Sequence, residues 1–275
     1  MSSTPAQSRP VFHVPLAQLA AFREQPLVVR ARDPRQLVRM LEEIAPTDLR
    51  LVQLLGPPDD MDALRRWRPG LPVDLLVEDP ARDPGQLYGL TALHEDHPLR
   101  ITIPVVAGFD TLTRLAVALG FSVKLAVEQP PAARLAELMA LLDYYLHNPT
   151  VAAPVEFFHS LLGALLHRQT LDLWEIQEED PLQCRWVDEQ GRVSLPGRLA
   201  TEPADSTLAD LQARLAGRDT ECRGCAYRAY CGGFFKWPDP DYRCTGVRKL
   251  LGAMDSAIGE LGEDLAAYPD AVTPS

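Results

Sequence analysis

Short apolar runs alternate with longer amphipathic stretches over roughly the first 180 residues. The apolar runs predict β-strands, because each is four to eight residues long and bounded by polar, Gly or Pro residues. They span residues 11–14, 27–30, 49–55, 73–77, 99–106, 122–127 and 173–176. The amphipathic stretches repeat apolar residues at helical spacing, which predicts helices over residues 33–44, 61–67, 111–119, 131–146 and 155–167.

Strands that alternate with helices favour βαβ units and a mainly parallel sheet. Several of the apolar runs are continuous, as expected of strands with both faces covered. With six or seven predicted strands, the pattern predicts an α/β fold built as a complete, partial or degenerate (β/α) barrel.

The pattern changes near residue 180. A charge run at residues 178–180, typical of a solvated surface, leads into a predicted hairpin that starts at Cys184 and turns at Gly191. A helix opened by Thr207 and Asp210, a cysteine-rich segment and a last helix over residues 246–265 follow. We therefore expect a flexible tail over residues 1–10, an α/β partial-barrel domain over 11–180 and a small cysteine-rich domain over 181–275.

Composition and charge narrow the class of protein. Of 275 residues, 46% are hydrophobic, which excludes wholesale disorder. The net charge of −11 argues against non-specific binding to nucleic acid or to anionic membranes. The N-terminus does not resemble a secretory signal and no apolar stretch is long enough to span a bilayer, so we expect a cytoplasmic protein in which disulfides are uncommon.

Four of the five cysteines are close together, with the spacing Cys222-x2-Cys225-x5-Cys231-x12-Cys244. Four thiolates from one short segment suit either zinc or an iron–sulfur cluster. Zinc sites usually pair two short, similar knuckles, whereas iron–sulfur ligation accepts irregular spacing, so the spacing favours iron–sulfur and leaves zinc as the alternative. Cys184 lies apart from this set, and we interpret it as a small buried side chain.

Residues 221–233, Glu-Cys-Arg-Gly-Cys-Ala-Tyr-Arg-Ala-Tyr-Cys-Gly-Gly, resemble the SPASM domain of radical S-adenosylmethionine (SAM) enzymes, especially the peptide maturases. The resemblance implies that Cys222, Cys225, Cys231 and Cys244 bind the outer auxiliary [4Fe–4S] cluster of that domain. The inner cluster's ligands are largely missing, because Phe235 and Pro196 stand where the family has cysteines. The resemblance therefore implies one cluster instead of two.

Radical SAM enzymes cleave SAM at a cluster held by Cys-x3-Cys-x2-Cys after the first barrel strand, and this chain has no cysteine before Cys184. SAM is therefore not an expected cofactor, and we do not expect an active radical SAM enzyme. The resemblance implies an accessory or partner subunit in peptide or protein maturation of the RiPP type. It would pass electrons or dock a partner, which would be a maturation enzyme or a precursor peptide.

Two further hypotheses stay open. The chain could be a zinc-stabilised binding or scaffold module, or an enzyme that uses the barrel for unknown chemistry. The sequence contains no dinucleotide-binding Gly-x-Gly-x-x-Gly motif, phosphate loop or Gly-x-Ser-x-Gly motif, and it identifies no catalytic residue.

Overall fold

The computed structural model describes residues 9–57, 61–218 and 220–267, so most of the predicted tail over residues 1–10 lies outside the described residues. The described strands form one sheet. They are β1 (Val11–Pro15), β2 (Pro26–Ala31), β3 (Asp48–Leu55), β4 (Val73–Leu76), β5 (Leu99–Pro104), β6 (Ser122–Ala126), β7 (Val155–Glu156), β8 (Cys184–Val187) and β9 (Val193–Ser194).

Helices connect most of the strands and follow the last one. They are α1 (Leu19–Phe22), α2 (Pro34–Ile44), α3 (Asp62–Arg66), α4 (Thr91–His94), α5 (Phe109–Ala118), α6 (Ala132–His147), α7 (Phe158–His167), α8 (Leu173–Ile176), α9 (Leu208–Arg218), α10 (Thr220–Arg223), α11 (Arg228–Cys231) and α12 (Thr245–Ala267). Asp33 caps α2 by accepting hydrogen bonds from the backbone amides of Arg35 and Gln36, as its position before Pro34 predicts.

The sheet is open and almost entirely parallel. Its strand order is β7-β6-β5-β4-β3-β2-β1-β8-β9, and every neighbouring pair is parallel except β8 with β9. The edge strands β7 and β9 do not pair with each other in the described part of the chain. The mainly parallel α/β sheet predicted from the sequence is thus confirmed, and its antiparallel pair, β8 and β9, is the hairpin predicted from Cys184.

The two faces of the sheet differ in polarity. On one face, buried apolar side chains from successive strands, including Val29, Val52, Leu75, Ile101 and Val123, pack beneath the helices. The opposite face carries polar side chains on cross-strand neighbours. The register aligns four of them in one row: Arg30, Gln53, Asp74 and Arg100.

Two predicted elements are wrong in whole or in part. The predicted strand over residues 173–176 is helix α8, because Asp172 and Glu175 form a capping box that satisfies its first backbone amides. The predicted helix over residues 155–167 begins as β7 and becomes helical only at Phe158.

The part of the chain after residue 180 is joined closely to the part before it. Strand β8 pairs with β1, with Cys184 opposite Val11 and Trp186 opposite His13. Helix α12 packs against α6 and α7. The predicted domain boundary near residue 180 stays a prediction.

Among the helices that the structure describes, none has both the length and the apolar character needed to cross a bilayer.

Candidate metal centre

The four cysteines of residues 222–244 line one cavity. Cys222 lies in α10, Cys225 in the turn that follows, Cys231 at the end of α11 and Cys244 immediately before α12. All four side chains are partly buried. Their spacing in the sequence predicted that these residues share a site, and in the structure they line the same cavity. That they bind a metal cofactor stays a prediction.

The remaining wall of the cavity is apolar on one side and charged at its edge. Val247 and Leu251 of α12 supply the apolar side, while Glu221, Arg228 and Arg248 supply the charged groups. Within the described residues, no three or more His, Cys, Asp or Glu side chains are gathered closely enough to hold a single metal ion. The cysteines therefore border the cavity without converging on one point.

Short turns bring the first three cysteines to the cavity. The backbone amide of Cys225 donates to the carbonyl of Cys222 at 3.4 Å, and the amide of Cys231 donates to the carbonyl of Tyr227 at 2.9 Å. Gly232 and Gly233 then take left-handed backbone angles, with φ of +58° and +81°, which other residues adopt only at a cost. This pair ends α11 and turns the chain away from Cys231.

The Cys231 side chain faces a group of backbone amides. Burial raises the pKa of the Cys231 thiol, while the amides of Gly233, Phe234 and Phe235 hydrogen-bond to it and lower that pKa. Amides that donate to a sulfur stabilise its thiolate form, which is the form that binds metals. At Cys231 these amides oppose the effect of burial, although the pKa of the thiol is raised overall.

A buried ion pair connects the beginning and the end of the cysteine segment. The Lys236 ammonium lies 3.0 Å from Glu221, and its side chain is 4% exposed. Glu221 also accepts a hydrogen bond from the backbone amide of Cys244 at 3.4 Å. Glu221 thus holds the residue next to Cys222 against the residue that supplies the last thiol.

The cysteine segment is anchored on the end of β6. The guanidinium of Arg198, 3% exposed, lies 2.9 Å from Glu179 and donates to the backbone carbonyls of Val127, Phe234 and Trp237. It also lies 3.5 Å from the centre of the Phe234 ring. These contacts fix the turn after Cys231 to the sheet at the end of β6.

Gln129 adds a second anchor. Its side-chain amide donates to the carbonyls of Phe235 and Asp239, and its oxygen accepts from the Asp239 amide. Tyr242 completes the contact by donating its hydroxyl to the carbonyl of Pro130 at 2.7 Å.

A network of charged groups on the polar face of the sheet was missed by the sequence analysis. Glu178, expected on a solvated surface, keeps 36% of its side chain exposed and lies 2.6 Å from both Arg100 and Lys124. Arg100 also pairs with Asp74, which is 1% exposed and accepts a further hydrogen bond from Thr102. Burial raises the pKa of Glu178, but the two cations outweigh burial and hold that pKa well below its usual range.

Cys184 lies away from the other four cysteines, on β8. It is 3% exposed, as its interpretation as a small buried side chain predicts, and burial raises the pKa of its thiol to about 12. With His13 and Glu178 it borders a cavity of about 190 Å³ on the polar face. The pKa of His13 is lowered there to about 4, chiefly by burial.

A cavity of about 340 Å³ lies at the carboxyl ends of β2, β3 and β4. Its charged lining includes Arg32 and Glu78, which form an ion pair at 2.7 Å, and its apolar lining includes Leu87 and Leu112. The carboxyl ends of parallel strands are the usual location of ligand sites in α/β folds. No cysteine lines this cavity.

No protein-family model matches this chain, and no curated protein sequence matches it either. Its fold is similar to that of a solved structure described as "Native anSMEcpe with bound AdoMet", where AdoMet is SAM. The TM-score is 0.58 at 10% sequence identity, over 93% of this chain and 100% of that chain. At this identity the similarity shows the fold alone, and the fold is radical SAM-like.

Proposed function

We propose that this chain is a SPASM-like iron–sulfur protein that carries one [4Fe–4S] cluster on Cys222, Cys225, Cys231 and Cys244. The observation that carries the proposal is that these four thiols line one cavity at a spacing that favours iron–sulfur ligation. A cubane cluster takes each thiolate on a different iron atom, so its ligands lie around it and do not converge on one ion. When bound, such a cluster supplies one-electron redox chemistry.

Other groups at the cavity fit such a cluster. Hydrogen bonds to ligand sulfurs and burial both tune the reduction potential of a cluster, and the amides that face Cys231 supply the first of these. Val247 and Leu251 supply an apolar wall that restricts access of water.

We do not expect this chain to cleave SAM, although its fold is radical SAM-like. In radical SAM enzymes the three catalytic cysteines follow the first barrel strand, and the segment after β1 contains none. Ion pairs of Glu178 with Arg100 and Lys124 also occupy part of the polar face of the sheet.

The role that we propose is that of an accessory or partner subunit in peptide or protein maturation, which transfers electrons to or from a maturation enzyme. The support is the likeness of residues 221–233 to the SPASM domain of peptide maturases, together with ligation by four thiolates. Four protein ligands leave no iron open to a substrate, which favours electron transfer over substrate activation. Docking of a precursor peptide or partner enzyme on the same segment is the second candidate.

Redox titration of anaerobically purified protein tests this proposal. We expect uptake of about one electron per chain and a paramagnetic signal of the reduced cluster at low temperature. Colourless protein with about one zinc per chain would instead favour the zinc-stabilised scaffold. If a Cys225→Ser variant lost the cluster but kept full activity in its pathway, electron transfer would be excluded as the role.

A further inference from the structure

The cavity of about 190 Å³ on the polar face of the sheet is separate from the four-cysteine cavity. Val11 and Cys184, the first residues of β1 and β8, both line it, so it lies near the amino ends of these strands. The cavity of about 340 Å³ lies instead at the carboxyl ends of β2, β3 and β4. None of the cysteines of residues 222–244 lines the smaller cavity, so its chemistry does not depend on a cluster.

Two carboxylates that line this cavity have no cationic partner. Over the ranges 9–57, 61–218 and 220–267, neither Glu175 nor Asp180 forms an ion pair. Glu175 accepts hydrogen bonds from the Gln183 side chain at 2.8 Å and from the Asp172 amide at 3.4 Å. Asp180 is 7% exposed and accepts from the amide of Leu182 at 2.8 Å. These neutral donors leave both charges unbalanced, which is costly where water is largely excluded.

The cations near this cavity are already committed to other carboxylates. Arg100 and Lys124 each lie 2.6 Å from Glu178, which lines the cavity. Arg50, which also lines it, is exposed and lies 2.7 Å from Asp48. The cavity therefore keeps an excess of negative charge.

His13 adds a polar atom that has no partner within the chain. Its side chain is 7% exposed and lines the cavity, and its buried Nδ1 forms no hydrogen bond in the part of the chain that the structure describes. Such an atom costs free energy unless a ligand or water satisfies it. Burial lowers the pKa of His13 to about 4, so at neutral pH the imidazole is uncharged and can accept a hydrogen bond.

The rest of the lining is mainly apolar. Val11, Val28 and Leu51 supply it, and the strand register places Val28 between His13 and Leu51. The volume of about 190 Å³ is below the range of about 300–1,000 Å³ that is typical of sites for drug-sized molecules. The cavity therefore suits a smaller ligand with an apolar part and a positive charge.

We propose that this cavity binds a small primary amine, with its ammonium group against Asp180 and its alkyl chain against Val28 and Leu51. An ammonium group has three N–H donors, and Asp180, Glu175 and His13 offer three acceptor groups in the same cavity. A metal ion suits the cavity less well, because the described residues hold no group of three His, Cys, Asp or Glu side chains that could bind one. An anion would be repelled by the two unbalanced carboxylates.

Three probes of equal chain length test the charge of the ligand. Pentylamine, n-pentanol and pentanoate differ only in their head groups, and ligand-observed NMR titrations of the full chain at neutral pH give the Kd of each. We expect a Kd of about 1 mM or tighter for pentylamine, with n-pentanol at least about tenfold weaker and pentanoate not bound. Equal Kd values for the amine and the alcohol, binding of pentanoate, or no binding of pentylamine at about 10 mM would each overturn the proposal.

A substitution of Asp180 tests the location of the site. Asp180→Asn removes the charge and keeps an oxygen that can accept from the Leu182 amide. Asp205→Asn is the matched control, because Asp205 is exposed and does not line the cavity. We expect pentylamine to bind at least about tenfold more weakly to Asp180→Asn and within about twofold of the wild type to Asp205→Asn. An unchanged Kd in Asp180→Asn would overturn the proposal.

A second variant serves if Asp180→Asn does not fold, which its circular dichroism spectrum would show. Glu175→Gln keeps an oxygen that can accept from Gln183 and should weaken binding of pentylamine by about threefold to tenfold. An unchanged Kd there would overturn the proposal, as would displacement of pentylamine from the wild type by micromolar Zn²⁺, which would indicate a metal site. None of these measurements requires a bound cluster, so the proposal can fail while the proposed function stands, and the reverse is equally possible.

Discussion

The Lys236 ammonium lies 3.0 Å from the Glu221 carboxylate, and this pair joins the two ends of the cysteine segment. Glu221 precedes Cys222 and accepts from the Cys244 amide, while Lys236 also donates to the carbonyl of Tyr242 at 2.8 Å. A buried ammonium needs such partners, because it has lost its water. The pair therefore sets the position of the first thiol relative to the last.

Replacing Glu221 by Gln should destabilise the folded protein, because the buried Lys236 charge loses its counterion. We expect the free energy of unfolding, measured with urea, to fall by about 1–3 kcal/mol. Glu24→Gln is the control, since the pair of Glu24 with Arg23 is well exposed and should contribute less than about 1 kcal/mol. Equal losses in the two variants would show that the buried pair has no special role.

A Cys225→Ser change should abolish binding of the cluster, whereas Cys184→Ser should leave it in place. Cys225 borders the four-cysteine cavity, while Cys184 is buried on β8 and borders a different cavity. Iron content and visible absorbance of the two variants, purified side by side without oxygen, are the measurements. Loss of iron from Cys184→Ser with retention in Cys225→Ser would contradict the ligand assignment.

A Gly232→Ala change should destabilise the turn after Cys231. A Cβ at this position would lie 2.8 Å from Cδ1 of Trp174, and the backbone there has φ of +58°. We expect the free energy of unfolding to fall by about 1–3 kcal/mol, with weaker retention of iron. Gly224 is the matched control in the same segment, because a Cβ there would meet nothing within 4 Å. The account would be wrong if Gly224→Ala proved as harmful as Gly232→Ala.

The protein should become less stable as the pH falls from 6.5 towards 4, and His13 should cause this loss. Burial lowers the pKa of His13 from 6.5 to about 4, and nearby cations add to this shift while Glu178 opposes it. Between these two values the unfolded chain binds a proton that the folded chain does not. The stabilisation is therefore complete above pH 6.5 and is lost as pH falls towards 4, by about 3 kcal/mol in total.

The His13→Gln variant checks this pH dependence. Its free energy of unfolding, measured at several pH values between 4 and 7, should vary less than that of the wild type. The exposed His167 is the control position, and His167→Gln should keep the slope of the wild type. An unchanged slope in His13→Gln would show that another group is responsible.

The strands could be predicted from the sequence because most are short apolar runs. β1 to β6 each match a predicted run closely, since apolar residues recur along the face of each strand that packs beneath the helices. The prediction for Leu173–Ile176 was wrong. Its apolar residues suggested a strand, but the Asp172 and Glu175 side chains cap a helix there. That capping pattern was visible in the sequence and is the feature that could have corrected the prediction.

The position of Glu178 could not have been predicted in the same way. Its partners Arg100 and Lys124 are 78 and 54 residues away in sequence, and they meet it only because of the register of β5 and β6. The four cysteines are different, because all lie within one short segment. Their convergence on one cavity follows from local turns, which is why their spacing alone indicated a shared site.

The iron and acid-labile sulfide content of the anaerobically purified wild type tests the central claim most directly. The account predicts brown protein with about four irons and about four sulfides per chain. Colourless protein that contains about one zinc per chain, or no metal, would contradict it.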